Sequence, residues 1–413
     1  MDSLSKKFSK YLLVSSLGGN IIGSVFVIFL SFIKGFDARE ISFIIGTTPL
    51  IVLPLFLIWG SILDKYKDVI KISKFINLSN VATMIILTLI NNFLLFFIVN
   101  LVRSILLQPG GTLNDKYLLN ISKYNEGSYG KIRVMLTIGF GLAGIIAPIT
   151  IKLGGIYLAI IVGIILIILS NFLLNKLSED EEDLIEETER SKKDKKGLFK
   201  SILELVKNKK YLKYLIIISI IWGTQNSAAW YGIQIILIDL KISDAIISLI
   251  PFLMVIFEVV ILLTYEKIKF FERTDIALLI SLIVLTFRWA IMIFTNSYII
   301  ILIITMLHGI VTGIVLQIQN KIVGDIVSPE QQVIAFILMN SLSATILPSI
   351  LNLTTGELYS NYGIKVFGLV YLILSIIALG LLSTKILKRK SAKKWNFLLT
   401  YRKCIVKILL IIK

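Results

Sequence analysis

Apolar residues in this sequence arrive in runs of about twenty, and the runs recur through almost the whole chain. A hydrocarbon core of ~30 Å is crossed by ~20 apolar residues in a helix, because lipid leaves every backbone N–H and C=O to be satisfied inside the segment. The runs predict helices at 11–33, 41–63, 70–91, 93–114, 132–151, 155–175, 214–238, 245–265, 274–295, 298–320, 332–353 and 363–384. The expected fold class is all-α integral membrane, with twelve transmembrane helices. Composition agrees: 56% of the 413 residues are hydrophobic and the mean hydropathy is +0.87, more than a solvated surface allows. One cysteine, Cys404, excludes a disulfide framework or a cysteine metal site.

The net charge of +17 would fit a nucleic-acid partner if the basic residues shared one surface. They do not. Alternate segments, counted from the amino terminus, hold 35 of the 43 Lys and Arg, and the intervening loops hold 5. Arg103, Arg133 and Arg288 are the remainder. This asymmetry predicts both termini in the cytoplasm of a multi-pass protein in the cell (inner or plasma) membrane, with anionic lipid as a partner and no nucleic acid. Lys6, Lys7 and Lys10 precede a run that is long and lacks a clear small-x-small site, so it reads as a retained first helix and not a signal peptide.

One long polar stretch divides the runs into six and six. Residues 179–189 carry eight acids and 190–200 turn basic, which reads as a solvated linker. The expected organisation is a six-helix bundle at 1–175, a cytoplasmic linker at 176–213, a second bundle at 214–384 and a basic cytoplasmic tail at 385–413. Within the tail, 395–412 mixes Trp395, Phe397 and Leu398 with Arg402, Lys403 and Lys407, a pattern suited to an interfacial helix. Residues 113–122 (LNDKYLLNIS) weakly echo 318–327 (IQNKIVGDIV), six helices later, as a parallel duplication would. Pro49, Pro54, Pro109, Pro148, Pro251 and Pro348 fall inside apolar runs, where neighbours or water must re-satisfy the freed carbonyls.

Four ionisable residues lie deep in apolar runs: Arg103, Glu258, Arg288 and His308. Facing lipid, a central charge costs about 2.5–3.5 kcal/mol, so these groups must face one another or water. Counted at ~1.5 Å per residue from the outer helix ends, Glu258 lies ~20 Å in, His308 ~15 Å and Arg288 ~10 Å. A carboxylate near a guanidinium and an imidazole changes protonation with the partner that is close, which is proton-coupling chemistry; the bland alternative is an ion pair holding helices together. Polar stripes at helical spacing predict a wet cavity: Ser16, Asn20 and Ser24; Asn226, Trp230 and Gln234; Thr305, His308, Thr312 and Gln319; with Asn340 on the eleventh helix. Trp222 and Trp230 offer stacking faces. The alternative for any single Ser or Thr is interhelical glue. The polar loops contain no phosphate-binding loop, metal-ligand cluster or Ser/His/Asp arrangement, so the expectation is no enzyme, no cofactor and no metal.

The loop after the second helix, Gly60-Ser-Ile-Leu-Asp64-Lys65-Tyr-Lys67, resembles the G-x-x-x-D-[RK]-x-[GRK] loop of the major facilitator superfamily. Tyr129-Gly130-Lys131-Ile132-Arg133 followed by Ile138-Gly-Phe-Gly-Leu-Ala-Gly, and Arg288-Trp289 followed by Leu307-His308-Gly309, are similar to the branch containing nucleoside:proton symporters, phenylpropionate permease and, distantly, lactose permease. The resemblance covers residues 1 to about 384 and implies two six-helix bundles of the major facilitator fold. It also implies gating roles for Gly60, Asp64, Lys65, Lys67, Tyr129, Gly130 and Arg133, and proton-coupling roles for Glu258, Arg288 and His308. Position 311 is Val where lactose permease carries an acid, and no matching glutamate stands on the fourth helix, so galactoside recognition is not implied.

The expectation is a monomeric secondary transporter taking up a small polar or aromatic solute (a nucleoside, sugar or aromatic acid) with protons by alternating access. Asn20, Arg103, Trp222, Asn226, Trp230, Thr312, Gln319 and Asn340 are the expected substrate-binding residues. Proton-driven export of drugs or metabolites, or a non-transporting membrane sensor, stay open as alternatives.

Overall fold

Polar residues between the apolar runs supply the caps that end one helix and begin the next. Asp37 accepts from the backbone N–H of Glu40 at 2.8 Å while Glu40 accepts from the Asp37 N–H at 3.0 Å, a reciprocal capping box. Asn92 accepts from the Leu95 N–H at 3.0 Å in the same manner. Lys34 closes a third end, donating to the Thr88 carbonyl at 2.8 Å and to Asn91 at 3.1 Å; partial burial draws its pKa below the usual lysine value.

The computed structural model describes residues 3–55, 59, 69–111, 113–114, 117–118, 128–178, 204–227, 231–328 and 331–390. Among these the chain is helical almost throughout, without a strand. Helix α1 is Ser3–Ile28, continued by a π-turn at Phe29–Ile33; α2 is Ala38–Val52; α3 is Val69–Leu89; α4 is Phe93–Leu107. Ser128–Ser178 folds back at Gly154–Gly155 into α5 (128–153) and α6 (156–178). Helix α7 comprises Lys209–Ser227 and Ile233–Asp239, and α8 comprises Asp244–Ile247 and Ile250–Thr264. Thr274–Phe294 is α9, Tyr298–Ile326 is α10, and Gln332–Lys390 divides at Gly363 into α11 (332–362) and α12 (364–390).

Within the described residues every predicted run lies on helical backbone, but several boundaries differ. The fourth helix ends at Leu107 because Pro109 has no N–H to continue it. The eleventh does not stop at 353: Thr354 and Thr355 bond back to carbonyls of their own helix, and Gly363 is the first breaker. Gly155 (φ 74°, ψ −172°) and Gly363 (φ 73°, ψ −169°) occupy a region open essentially to glycine alone.

Nine helices among the described residues are long and apolar enough to cross a membrane, and one of these, Val134–Leu177, spans both α5 and α6. Large apolar side chains point outward from them, Phe294 being 88% exposed, as a lipid-facing surface requires. Successive helices run antiparallel. Lys7 reaching the Lys176 carbonyl and Gln331 reaching Glu204 mark a proximal face, which carries the chain's beginning. Lys34 with Asn91, and Tyr359 with Asp239, mark the distal face.

Helix α1 packs on α5 and α6, where the Gly18 and Gly163 backbones meet. Contacts between the first six helices and the last six run mainly through α2 with α11 and α5 with α8, with smaller ones from α7 to α1 and α2. The residues that make them are distal. Ser42 donates to the Asn352 carbonyl, Tyr231 to the Ala38 carbonyl, and Arg39 pairs with Glu357 at 3.0 Å and bonds Asn361 at 2.8 Å. Gly144 lies directly against the Phe252 backbone.

Candidate functional site

The C-terminal half buries a charge with unusually little compensation. Arg288 sits on α9, six residues before that helix ends, and is 0% exposed. Its Nη1 donates to Gln225 Oε1 on α7, while its Nε and Nη2 have no hydrogen-bond partner. The guanidinium carbon lies 5.1 Å from the Trp289 ring centroid. Gln225 is fully buried and held at its other end, Nε2 donating to the His308 carbonyl at 3.1 Å. Three helices, α7, α9 and α10, are thereby joined through one amide. The Arg288 charge acts on the His308 imidazole, whose Nδ1 is also unpartnered.

Further along α10, Thr312 Oγ1 and Gln319 Nε2 are buried without partners, and on α7 so are both amide atoms of Gln234. Buried polar atoms in folded proteins are nearly all bonded to protein or water, so the orphans nearest one another, those of Arg288, His308 and Thr312, mark a place built to receive something polar. Gln319 lies about 16 Å further along α10, and Gln234 about 13 Å along α7 in the opposite direction. An aromatic wall stands against the guanidinium: the Trp289 ring centroid lies 4.6 Å from that of Tyr371, whose hydroxyl bonds Ser227 at 2.6 Å and Thr355 at 2.9 Å. It fixes α9 against α12, α7 and α11, and so fixes the Arg288 backbone.

Glu258, on α8, is part-buried and makes no bond to Arg288, which takes Gln225 as its partner instead. Its backbone is clamped: a Cβ added to Gly309 of α10 would fall on Glu258 N and Met254 O. Of the other predicted residues, Trp222 packs against the core and Asn226 and Asn340 are part-buried. Trp230 lies outside the described residues.

The N-terminal candidates are engaged within their own half. Asn20 donates to the Ser16 carbonyl at 2.7 Å and its hydroxyl at 3.1 Å, and Ser16 in turn donates to the Leu136 carbonyl at 2.8 Å. Arg103 Nε donates to Asn80 Oδ1 at 3.0 Å, with its guanidinium carbon 5.8 Å from the Phe26 ring centroid. Asn80 lines a polar cavity of about 160 Å³ with Tyr11, Ser15, Ser73, Asn77 and Asn114. Of the predicted gating residues, Gly60, Asp64, Lys65 and Lys67 lie outside the described residues, as do the side chains of Tyr129, Gly130 and Arg133, whose backbones form the first turns of α5.

Gln225 is the residue that sequence reasoning missed. Asn226, with Trp230 and Gln234, makes the longer polar stripe and draws attention from it. The available signal is a second adjacent amide in an apolar run, with one helical face fewer to hide on.

The sequence model of the MFS_1 like family matches residues 20–369 of the chain. No curated protein matches the sequence. Among solved structures, the nucleoside transporter NupG is similar over 94% of this chain and 100% of its own, with a TM-score of 0.75 at 15% identity. A POT family transporter in complex with 5-aminolevulinic acid is similar over 94% and 96%, with a TM-score of 0.71 at 13% identity. A bacterial homologue of the iron transporter ferroportin, in an inward-facing state, is similar over 93% and 99%, with a TM-score of 0.67 at 13% identity. At such identities the likeness is one of fold.

Proposed function

The chain belongs to the MFS_1 like family, and from that premise we propose that it is a proton-coupled secondary transporter that takes up a small polar or aromatic solute by alternating access. That it is a multi-pass membrane transporter, and not an enzyme, follows from the family and the fold. The observation that carries the finer reading is the orphaned polar cluster of Arg288, His308 and Thr312 lying behind a distal face sealed by α2 against α11 and α5 against α8. A site of that kind, closed to one side, is what alternating access requires.

In this reading the proximal face, with its excess of Lys and Arg, is cytoplasmic, and so are both termini. The halves are 1–175 and 214–384, joined by a linker at 176–213 and followed by a tail at 385–413. The matching glycine turns at 155 and 363 support that division, since each closes the fifth-to-sixth hairpin of its half. Glu258 carries the proton, and Arg288 and His308 switch its affinity as α8 and α10 move. Asn20, Arg103, Trp222, Asn226, Trp230, Thr312, Gln319 and Asn340 serve the solute, and the loops at 60–67 and 129–133 gate the cytoplasmic side. One charge falling through ~100 mV releases ~2.3 kcal/mol, which sustains accumulation of several tens of fold.

The test is solute-dependent alkalinisation outside proteoliposomes under an imposed pH gradient. Glu258→Gln is expected to reduce accumulation from tens of fold to equilibrium, leaving solute exchange intact. Accumulation surviving in that variant sinks the coupling assignment, and flux running outward against the gradient replaces uptake with export.

A second prediction concerns the distal seal. A Cβ on Gly356 would meet Ser42 Cβ and lie 2.6 Å from the Ala38 carbonyl oxygen. Gly356→Leu therefore wedges α11 from α2. A cysteine introduced at Leu50, one turn below Gly46 on α2, in a Cys404→Ser background, is expected to react with an impermeant maleimide from the distal side at least ~tenfold faster when Gly356→Leu is also present.

A further inference from the structure

We propose that the transported solute carries a carboxylate, and that this group docks on the Nε–Nη2 edge of Arg288. The inference rests on the transport reading above and narrows it to a substrate class.

Arg288 is wholly buried and keeps its positive charge, since a guanidinium does not deprotonate in proteins. Of its donors, Nη1 is committed to Gln225, and Nε and Nη2 are free. These two nitrogens are not an arbitrary pair. They lie side by side on one edge of the planar group with parallel N–H bonds, the arrangement that a carboxylate meets with both oxygens. Gln225 supplies a neutral amide oxygen and no charge. It is also not free to swing onto the open edge, because its Nε2 is tied to the His308 carbonyl.

No carboxylate among the described residues fills the edge. The Arg39–Glu357 ion pair lies elsewhere, at the distal face. Glu258 is the acid on the neighbouring helix α8, and its backbone is pinned by the contact of α8 with Gly309. A buried guanidinium with two idle donors needs one negative charge and two acceptor atoms. Neutral solutes such as sugars bring acceptors without charge. A monocarboxylate brings both in the required number, and the unpartnered His308 Nδ1 and Thr312 Oγ1, one turn apart on α10, are available to the remainder of the solute.

The test uses the purified full chain in lipid nanodiscs and a panel of acids with matched amides: acetate and acetamide, lactate and lactamide, benzoate and benzamide, nicotinate and nicotinamide. Binding is read by calorimetry and by the shift in melting temperature. At least one acid is expected to bind tenfold or more tightly than its amide. Arg288→Lys, which keeps the charge but loses the paired donors, is expected to reduce that preference about tenfold. Gln225→Glu, which sets an internal carboxylate against the guanidinium, is expected to abolish it in protein that stays folded. Equal binding of acid and amide throughout the panel overturns the proposal, as does an undiminished acid preference in folded Gln225→Glu. Proton-driven accumulation of a neutral solute, with no acid preference, overturns the carboxylate and leaves the transport reading standing. An acid preference without net movement of that acid in proteoliposomes supports the docking edge and overturns transport.

Discussion

Gly309→Val is expected to abolish transport and to remove most of the folded protein recovered by size-exclusion chromatography. Overpacking a core costs about 1–3 kcal/mol when the neighbours are side chains that can rotate aside. At Gly309 the neighbours are Glu258 N and Met254 O, atoms of the α8 backbone, with the Phe257 carbonyl carbon 3.1 Å away. A helix backbone yields only by moving the whole helix, so even Gly309→Ala is expected at about 3 kcal/mol, and valine beyond it. The control is Gly324→Ala on the same helix. Nothing lies within 4 Å of its added Cβ, and exchanging glycine for alanine inside a helix gains about 0.5–1 kcal/mol. Equal effects at the two positions, measured by thermal unfolding in one detergent, would show that α8 and α10 are not in backbone contact.

The second large effect belongs to Gln225. Gln225→Leu is close to isosteric, yet it strips Arg288 of its one hydrogen bond and leaves the His308 carbonyl without its side-chain donor. Removing the sole partner of a buried charge costs about 3–5 kcal/mol. The double variant Gln225→Leu, Arg288→Met removes the charge with its partner, and is expected to recover most of that loss. A thermodynamic cycle over the four proteins isolates the coupling, because residues in one network depart from additivity by about 0.5–3 kcal/mol. Transport should be absent from all three variants. A Gln225→Leu protein as stable as the parent would mean that Arg288 is satisfied by another group.

Most of the helices were legible because hydropathy is a local property. The runs around Ile167 or Ile261 declare themselves within twenty residues. Helix ends were harder. Helix α10 continues past Gln319 through Lys321 and Asp325, since charged residues end a hydrophobic run without ending a helix. The site was half legible for the same physical reason. Arg288 and His308 stand out because charge in lipid is costly wherever it faces. Gln225 does not, because a neutral amide is ordinary glue between membrane helices and becomes special only by what it touches. Depth along a helix also says nothing about the direction a side chain takes around it. Depth sets His308 between Glu258 and Arg288, while the packing of α9 turns Arg288 toward α7 and onto Gln225. The Asp64 loop, legible by resemblance, lies outside the described residues.

The two glycine turns impose a mechanical condition of their own. Between α5 and α6, and again between α11 and α12, the chain reverses on one or two residues and leaves no slack to absorb relative movement. Each hairpin must travel as a single lever whatever its neighbours do. Pairs of spin labels across these tips are fixed rulers, reading one separation in every state of the protein. Under the proposed alternating access, pairs set between α2 and α11 span the joint expected to move, and their change in length, referred to the rulers, measures the stroke.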